Sequence, residues 1–173
     1  TVLELLRDSP FIPRGHEYIF ARAICHFLAG EDIEAVLLLT PQLENSLRHI
    51  LALKGHDTTR ANADGIQTEA SLSILLNTDR PWRNLLEQII PARYIHEIDL
   101  LFNFSGGSSV RNQVAHGKVP AAGFWDHDFV YAAWIIIHLA ILPMARRWGN
   151  VEEIFARVTG LYRAADVDEG AEQ

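Results

Sequence analysis

Residues 129–145 form a nearly continuous apolar stretch, and the need to bury or insert that stretch constrains the fold more than any other feature. A helix that spans a membrane needs about 20 consecutive apolar residues. This stretch is shorter, and His138 and Pro143 interrupt it. It is therefore expected to be a buried helix at the centre of the fold, with no role in a membrane.

Most of the remaining chain repeats apolar residues at the three- and four-residue spacing of helices. No run alternates apolar and polar residues as a half-buried strand does, and no internal repeat is present. Pro41 predicts a kink or break near Thr40 in one of these helices. The polar residues 55–68 are typical of a long loop or a short irregular hairpin. We expect helices over residues 16–29, 33–54, 69–76, 81–90, 92–103, 109–117 and 151–164.

These patterns predict an all-α bundle of about six to eight helices. A length of 173 residues, with 49% hydrophobic and 21% charged residues, suits a single globular domain spanning residues 1–173. The chain starts without Met and without a leader-like segment, so we expect it to be a fragment of a longer protein. Residues 165–173 are acidic and small, and this tail is expected to fray.

The net charge and the cysteine content limit the possible functions of the protein and its possible cellular compartments. The net charge of −7 provides no general attraction for nucleic acid, so any contact with RNA must be local. The single cysteine, Cys25, cannot form an internal disulfide, and its apolar surroundings in the sequence predict a small core residue. A lone reduced cysteine is consistent with the cytoplasm.

One segment, residues 109–117, places a cation, an amide and a titratable ring close together as Arg111, Asn112 and His116. Ser109 is expected to be the N-cap of a short helix, and Gly117 is expected to end it. An advance of about 100° per residue turns Asn112 and His116 outward, and Arg111 and His116 lie about 140° apart. These two side chains therefore converge only if the arginine wraps round the helix or a second copy supplies another histidine.

Two interpretations of this segment remain open on chemical grounds. Arginine offers a planar fork for phosphate oxygens, and histidine transfers protons near neutral pH, so the pair suits phosphodiester chemistry. Alternatively, Arg111 pairs with a nearby acid and His116 bonds the last carbonyls of its own helix, or the motif locks a loop through buried hydrogen bonds. Two other motifs are incomplete: His96-Glu97 lacks the second histidine of H-E-x-x-H, and Gly106-Gly107 lacks the lysine of a phosphate loop.

The sequence Arg111-Asn112-x-x-x-His116-Gly117 resembles the R-x4-6-H signature of the HEPN superfamily of small helical domains. In particular, it resembles a domain-of-unknown-function family marked by RNxxxHG. A second segment, residues 40–51, resembles the P-x-x-E-x-x-L-R helix found upstream in such domains. The resemblance implies an all-α, usually dimeric domain whose two motif helices face one cleft. Active members cleave RNA without a metal, and many relatives are nucleotide-binding or interaction modules.

The resemblance also implies roles for individual residues. His116 would accept a ribose 2′-hydroxyl proton, Arg111 would stabilise charge on the phosphate, and Asn112 would position one of them. Glu44 would orient Arg111 or His116, although Glu44 and Arg48 also have the spacing of an ordinary surface ion pair. Arg48 and Lys118 would contribute to substrate binding. The implied partners are RNA or a nucleotide and a second copy bound through the motif helix, with no metal and no cofactor.

Overall fold

The computed structural model describes residues 2–61, 67–104 and 106–145. The helix predicted over residues 151–164 and the tail predicted at 165–173 lie outside these described residues. Within them the chain forms eight α-helices, one π-helical turn, one 3₁₀ turn and one hairpin of two short strands. In chain order the elements are α1 (Val2–Leu6), α2 (Glu17–Leu28), α3 (Asp32–Leu53), β1 (Thr59–Ala61), β2 (Gln67–Glu69), α4 (Leu72–Leu75), α5 (Pro81–Ile89), α6 (Ala92–Ile98), the π turn Asp99–Asn103, α7 (Val110–Ala115), the 3₁₀ turn Ala121–Trp125 and α8 (His127–Ala145).

The expected all-α bundle is confirmed, and its centre is the packing of α3 against α2 and α8. Helix α3 buries an unbroken stripe that includes Leu39, Leu43 and Leu47, each fully inaccessible to solvent. Helix α8 meets this stripe with Ile136 and Ala140, which are equally buried. In the part of the chain that the structure describes, no helix has the length and apolar character needed to cross a lipid bilayer.

Helix α3 runs without interruption from Asp32 to Leu53, so of the kink or break expected near Thr40 the structure excludes the break. Proline has no N–H and removes one hydrogen bond of the helix ladder. The Thr40 hydroxyl adds a bond of its own by donating to the Val36 carbonyl at 2.8 Å. Leu39 and Leu43, on either side of Pro41, are both buried in the one core cluster, and that packing holds the helix together across the proline.

The structure decides between the two alternatives for the polar segment after α3 and corrects the expectation for Cys25. The polar segment contains three-residue strands paired antiparallel, with Thr59 opposite Glu69, which is the hairpin alternative. Cys25 is exposed and is not a core residue. The buried stripe of α2 passes through Phe20 and Ile24, and the helical advance of 100° per residue carries Cys25 just past its edge.

Aromatic side chains join α6 to the exposed side of α8. The Tyr94 hydroxyl and His138 Nε2 share a hydrogen bond of 2.9 Å, and the Tyr131 hydroxyl donates to Glu97 at 2.6 Å. Trp134 stacks between the rings of Tyr131 and His138. The hydrogen bond to Glu97, together with burial, raises the pKa of Tyr131 to about 12. These contacts fix α8 beside α6 and leave the opposite side of α8 for the core.

Candidate functional site

Helix α7 carries the Arg111, Asn112 and His116 motif, and its first residue anchors it in the core. Val110 is fully buried, so the helix is held by its apolar side as its spacing predicts. Ser109 occupies the N-cap position with φ 43° and ψ 48°, and its side chain makes no capping bond, contrary to expectation. The Ser109 hydroxyl instead accepts a hydrogen bond from the Asn112 amide at 3.1 Å. In this left-handed conformation the serine ties the motif asparagine to the start of the helix.

The end of α7 matches the expectation of a glycine stop. Gly117 has φ 61°, the left-handed conformation that glycine adopts without a steric penalty. Its N–H donates to the Val114 carbonyl at 3.1 Å, and the Lys118 N–H donates to the Gln113 carbonyl at 2.9 Å. This pair of bonds is the Schellman motif that closes many helices. His116 is therefore the last residue before the turn, and its ring is exposed.

Helices α3 and α7 form the walls of a cleft of about 510 Å³. Arg111, Asn112 and His116 all line it, so the arginine and the histidine border one cleft within a single copy of the chain. Glu44 faces them from α3. The sequence did not indicate that the other wall residues belong to the site, although Pro41 is part of the upstream motif. Those other residues are Leu37, Thr40, Pro41, Leu72, Val114 and Ala115.

The Glu44 carboxylate joins α7 to two other parts of the fold. Its Oε2 lies 3.2 Å from Arg111 Nη2 and accepts the Leu72 N–H at 2.8 Å, which caps the start of α4. Its Oε1 accepts a hydrogen bond from Arg48 Nη1 at 2.7 Å. Glu44 thus forms the ordinary pair with Arg48 and also reaches the motif arginine. The Glu44 side chain is 20% exposed, which places these contacts in a partly desolvated setting.

Arg48 contacts Glu44 but does not line the cleft. Its side chain is 17% exposed; Nη1 also donates to the Ala70 carbonyl at 3.1 Å. Its Nε lies 3.2 Å from Glu69 Oε2, within ion-pair distance but without the alignment of a hydrogen bond. Arg48 therefore ties α3 to the end of the hairpin. Lys118 is exposed beyond the end of α7 and is also outside the lining of the cleft.

The arrangement provides a proton acceptor and a cation in one cavity. Arg111 is 36% exposed and lies against Glu44 through Nη2. A guanidinium carries five N–H donors, so this side chain can also donate to a ligand. The His116 ring stands exposed on the same wall. Over residues 2–61, 67–104 and 106–145 there is no group of three or more His, Cys, Asp or Glu side chains suited to a metal ion. The cleft is thus equipped for acid–base chemistry on an anionic ligand.

Comparison of the chain with models of protein families, with curated proteins and with solved structures found no match. The assignment of a function therefore depends on the geometry of the cleft. Its central feature is the contact between Glu44 of α3 and Arg111 of α7, with Asn112 and His116 on the same wall.

Proposed function

We propose that this chain is a HEPN-like, metal-independent endoribonuclease that acts as a dimer. The observation that carries the proposal is that Arg111, Asn112 and His116 line one cleft, with Glu44 against the arginine. These are the residues that the resemblance to the RNxxxHG family implies for RNA cleavage. The chemistry requires a base for a hydroxyl proton and a cation for the phosphate, and the cleft offers one of each.

In the proposed reaction, His116 removes the proton from a ribose 2′-hydroxyl. The 2′-oxygen then attacks the adjacent phosphorus atom, and the bond from phosphorus to the 5′-oxygen of the next nucleotide breaks. That oxygen takes up a proton as it leaves. The products carry a 2′,3′-cyclic phosphate and a 5′-hydroxyl, and no metal ion takes part.

Arg111 stabilises the additional negative charge that the phosphate develops during the attack. The contact with Glu44 restricts the side chain, so less conformational freedom is lost when substrate binds. Asn112 is held by Ser109 and directs its remaining polar atoms to the substrate or to Arg111. Glu44 acts as a positioning residue, since it touches Arg111 and not the reacting atoms.

The reaction needs one group to remove a proton and one to supply a proton. Each cleft lining contains one histidine, His116. In a two-fold dimer through α7, the second His116 would protonate the leaving oxygen while the first acts as base. The exposed position of His116 at the end of α7 is compatible with such an approach.

The test is cleavage of a mixed RNA pool in EDTA by the full chain and by His116→Ala, with the product ends identified. We expect the variant to lose about 10²- to 10⁴-fold in rate, the usual contribution of a general base. His96→Ala is the matched control, because His96 is exposed on α6 and lies outside the cleft lining. Sedimentation of all three proteins reports whether each is dimeric. Cleavage that survives in His116→Ala, or that requires a metal, would refute the proposal.

A non-catalytic nucleotide-binding or interaction module is the second candidate. It is favoured by the charges of the cleft, where Glu44 cancels the formal charge of Arg111, and by the net charge of −7. Such a module would bind a nucleotide phosphate, or a second subunit, through the same residues. No cleavage by the confirmed dimer, together with nucleotide binding that Arg111→Ala abolishes, would establish this function instead.

A further inference from the structure

A second cavity, the α2–α3 cavity, borders the Arg111 cleft and lies between α2 and α3. Its volume is about 430 Å³, within the roughly 300–1,000 Å³ that is usual for sites of small organic ligands. Leu37, 47% exposed, lines both this cavity and the cleft. The residues of α3 that line one cavity or the other include positions 34, 37, 41 and 44. Their spacing of three and four residues places them on one face of α3 over about 15 Å, so a ligand in the cleft can extend along that face into the second cavity.

The α2–α3 cavity offers an aromatic surface to a ligand. Tyr18 lines it and is 65% exposed, so most of this side chain is accessible to solvent. Ile19, Leu37 and Leu38 add apolar side chains to the same lining. Proteins that bind single-stranded nucleic acid stack its bases on accessible aromatic rings. The combination of an aromatic ring with apolar walls therefore suits a nucleobase.

The polar side chains of this cavity favour a neutral ring with hydrogen-bonding edges. Arg22 Nη2 lies 3.3 Å from His26 Nε2, and His26 Nδ1 contacts the Glu31 carboxylate. With its proton on Nδ1 for Glu31, the His26 ring accepts a hydrogen bond from Arg22 at Nε2, which restricts the arginine. Glu34 of α3 lines the same cavity, and its negative charge offsets that of Arg22. The cavity therefore suits a base better than a phosphate.

We propose that the α2–α3 cavity holds the base of a nucleotide adjacent to the one bound in the Arg111 cleft, and that it selects guanine. This base site rests on the RNA-binding role proposed above for the cleft. Tyr18 stacks on the base, Arg22 donates to the O6 and N7 acceptors of guanine, and Glu34 accepts from its amino group. Adenine presents an amino donor in place of O6, so it cannot accept both bonds from the arginine.

The stacking is tested by binding of short 2′-O-methyl RNA, which cannot be cleaved, to the full chain. Fluorescence anisotropy gives the dissociation constant. Tyr18→Ala should weaken binding roughly 5- to 150-fold, the usual loss for one stacked base. Tyr18→Phe is the matched control, because it keeps the ring and should bind as the unmodified chain does. If Tyr18→Ala binds as tightly as the unmodified chain, the base site is refuted.

The choice of base is tested with uridine oligomers that carry either one guanine or one adenine. The guanine oligomer should bind roughly 5- to 150-fold more tightly, the usual discrimination by one bidentate contact. Glu34→Gln should lose most of this preference. Asp32→Asn is the control, because it removes the same charge from the same helix, lies outside the lining of both cavities and should keep the preference. Equal affinity of the unmodified chain for both oligomers would refute the selection of guanine.

Failure of the base site and failure of the cleft give different results. RNA cleavage that depends on His116, together with binding that Tyr18→Ala leaves unchanged, would refute the base site alone. Binding that depends on Tyr18 in a chain that cleaves no RNA would refute the nuclease and support the base site. If no RNA binds to the unmodified chain, both are refuted.

Discussion

Glu44 shows how one side chain couples the stability of this fold to the geometry of its cleft. Its two oxygens contact Arg111, Arg48 and the Leu72 N–H, so α3, α7 and the start of α4 share one carboxylate. A carboxylate that accepts several charge-assisted hydrogen bonds in a partly buried site contributes more than an exposed ion pair does. Loss of this group would leave two arginines and one N–H with fewer acceptors.

Glu44→Ala should lower the free energy of unfolding by about 2 kcal/mol, the usual magnitude for removing hydrogen bonds to a charged group. Glu44→Gln should lower it by less, because its amide oxygen still accepts one of the bonds. Urea unfolding of both variants measures the difference. Glu34→Ala is the control, since Glu34 is exposed on the same helix and should change stability by less than about 0.5 kcal/mol. If Glu44→Ala is as stable as Glu34→Ala, the contacts of Glu44 contribute nothing to the fold.

At the residue scale, the contacts of Glu44 show which features of the site could be predicted from the sequence and which could not. The i,i+4 spacing predicts the pair of Glu44 with Arg48, and the resemblance implies that Glu44 approaches Arg111 or His116. The Leu72 N–H could not be predicted, because α4 lies 28 residues further along the chain and no local pattern states where it packs. The left-handed Ser109 was also missed, since serine before a helix normally caps it in an extended conformation.

Among the elements, α3 is the one that both builds the core and forms a wall of the cleft. Pro41 lies inside it and lines the cleft. A proline within a helix removes a backbone hydrogen bond and crowds the preceding turn at a cost of roughly 3 kcal/mol. The exposed Pro41 ring contributes little packing in return.

Pro41→Ala should therefore raise the free energy of unfolding by about 1–2 kcal/mol, less than the full helix penalty because proline also restricts the unfolded chain. The midpoint of urea unfolding measures the gain, with Gln42→Ala as the neighbouring control. Gln42 accepts a hydrogen bond from His16 at 2.7 Å, so its loss should be neutral or destabilising. A fall in stability on removing the proline would mean that Pro41 packs favourably in the folded state.

The helices were predictable because burial imposes a periodic pattern on the sequence. Residues 16–29 and 81–90 correspond to α2 and α5 within a few positions. The continuity of α3 was not predictable, because the local cost of Pro41 is offset by packing along the whole helix. The exposure of Cys25 was missed for a related reason: the apolar residues around it do not show where the edge of the buried stripe falls.

At the scale of the whole molecule, the charge provides no general attraction for nucleic acid. The net charge is −7, and the charge of Arg48 is balanced by Glu44 and Glu69. Arg111 is the arginine of the cleft lining, and its Nη2 lies 3.2 Å from Glu44 Oε2. RNA bound by such a protein would form few ion pairs with it. Shape and hydrogen bonding in the cleft would then supply most of the affinity.

The salt dependence of binding tests this expectation. For a single strand, the logarithm of the binding constant falls with the logarithm of salt concentration by about 0.7 for each phosphate neutralised. One Arg111 in each cleft, or two in a dimer, gives a slope between about −0.7 and −1.4. Fluorescence anisotropy with 2′-O-methyl RNA, which cannot be cleaved, measures the slope, and Arg111→Ala should flatten it. A slope steeper than about −3 would require several further cations and would place the binding surface outside the Arg111 cleft.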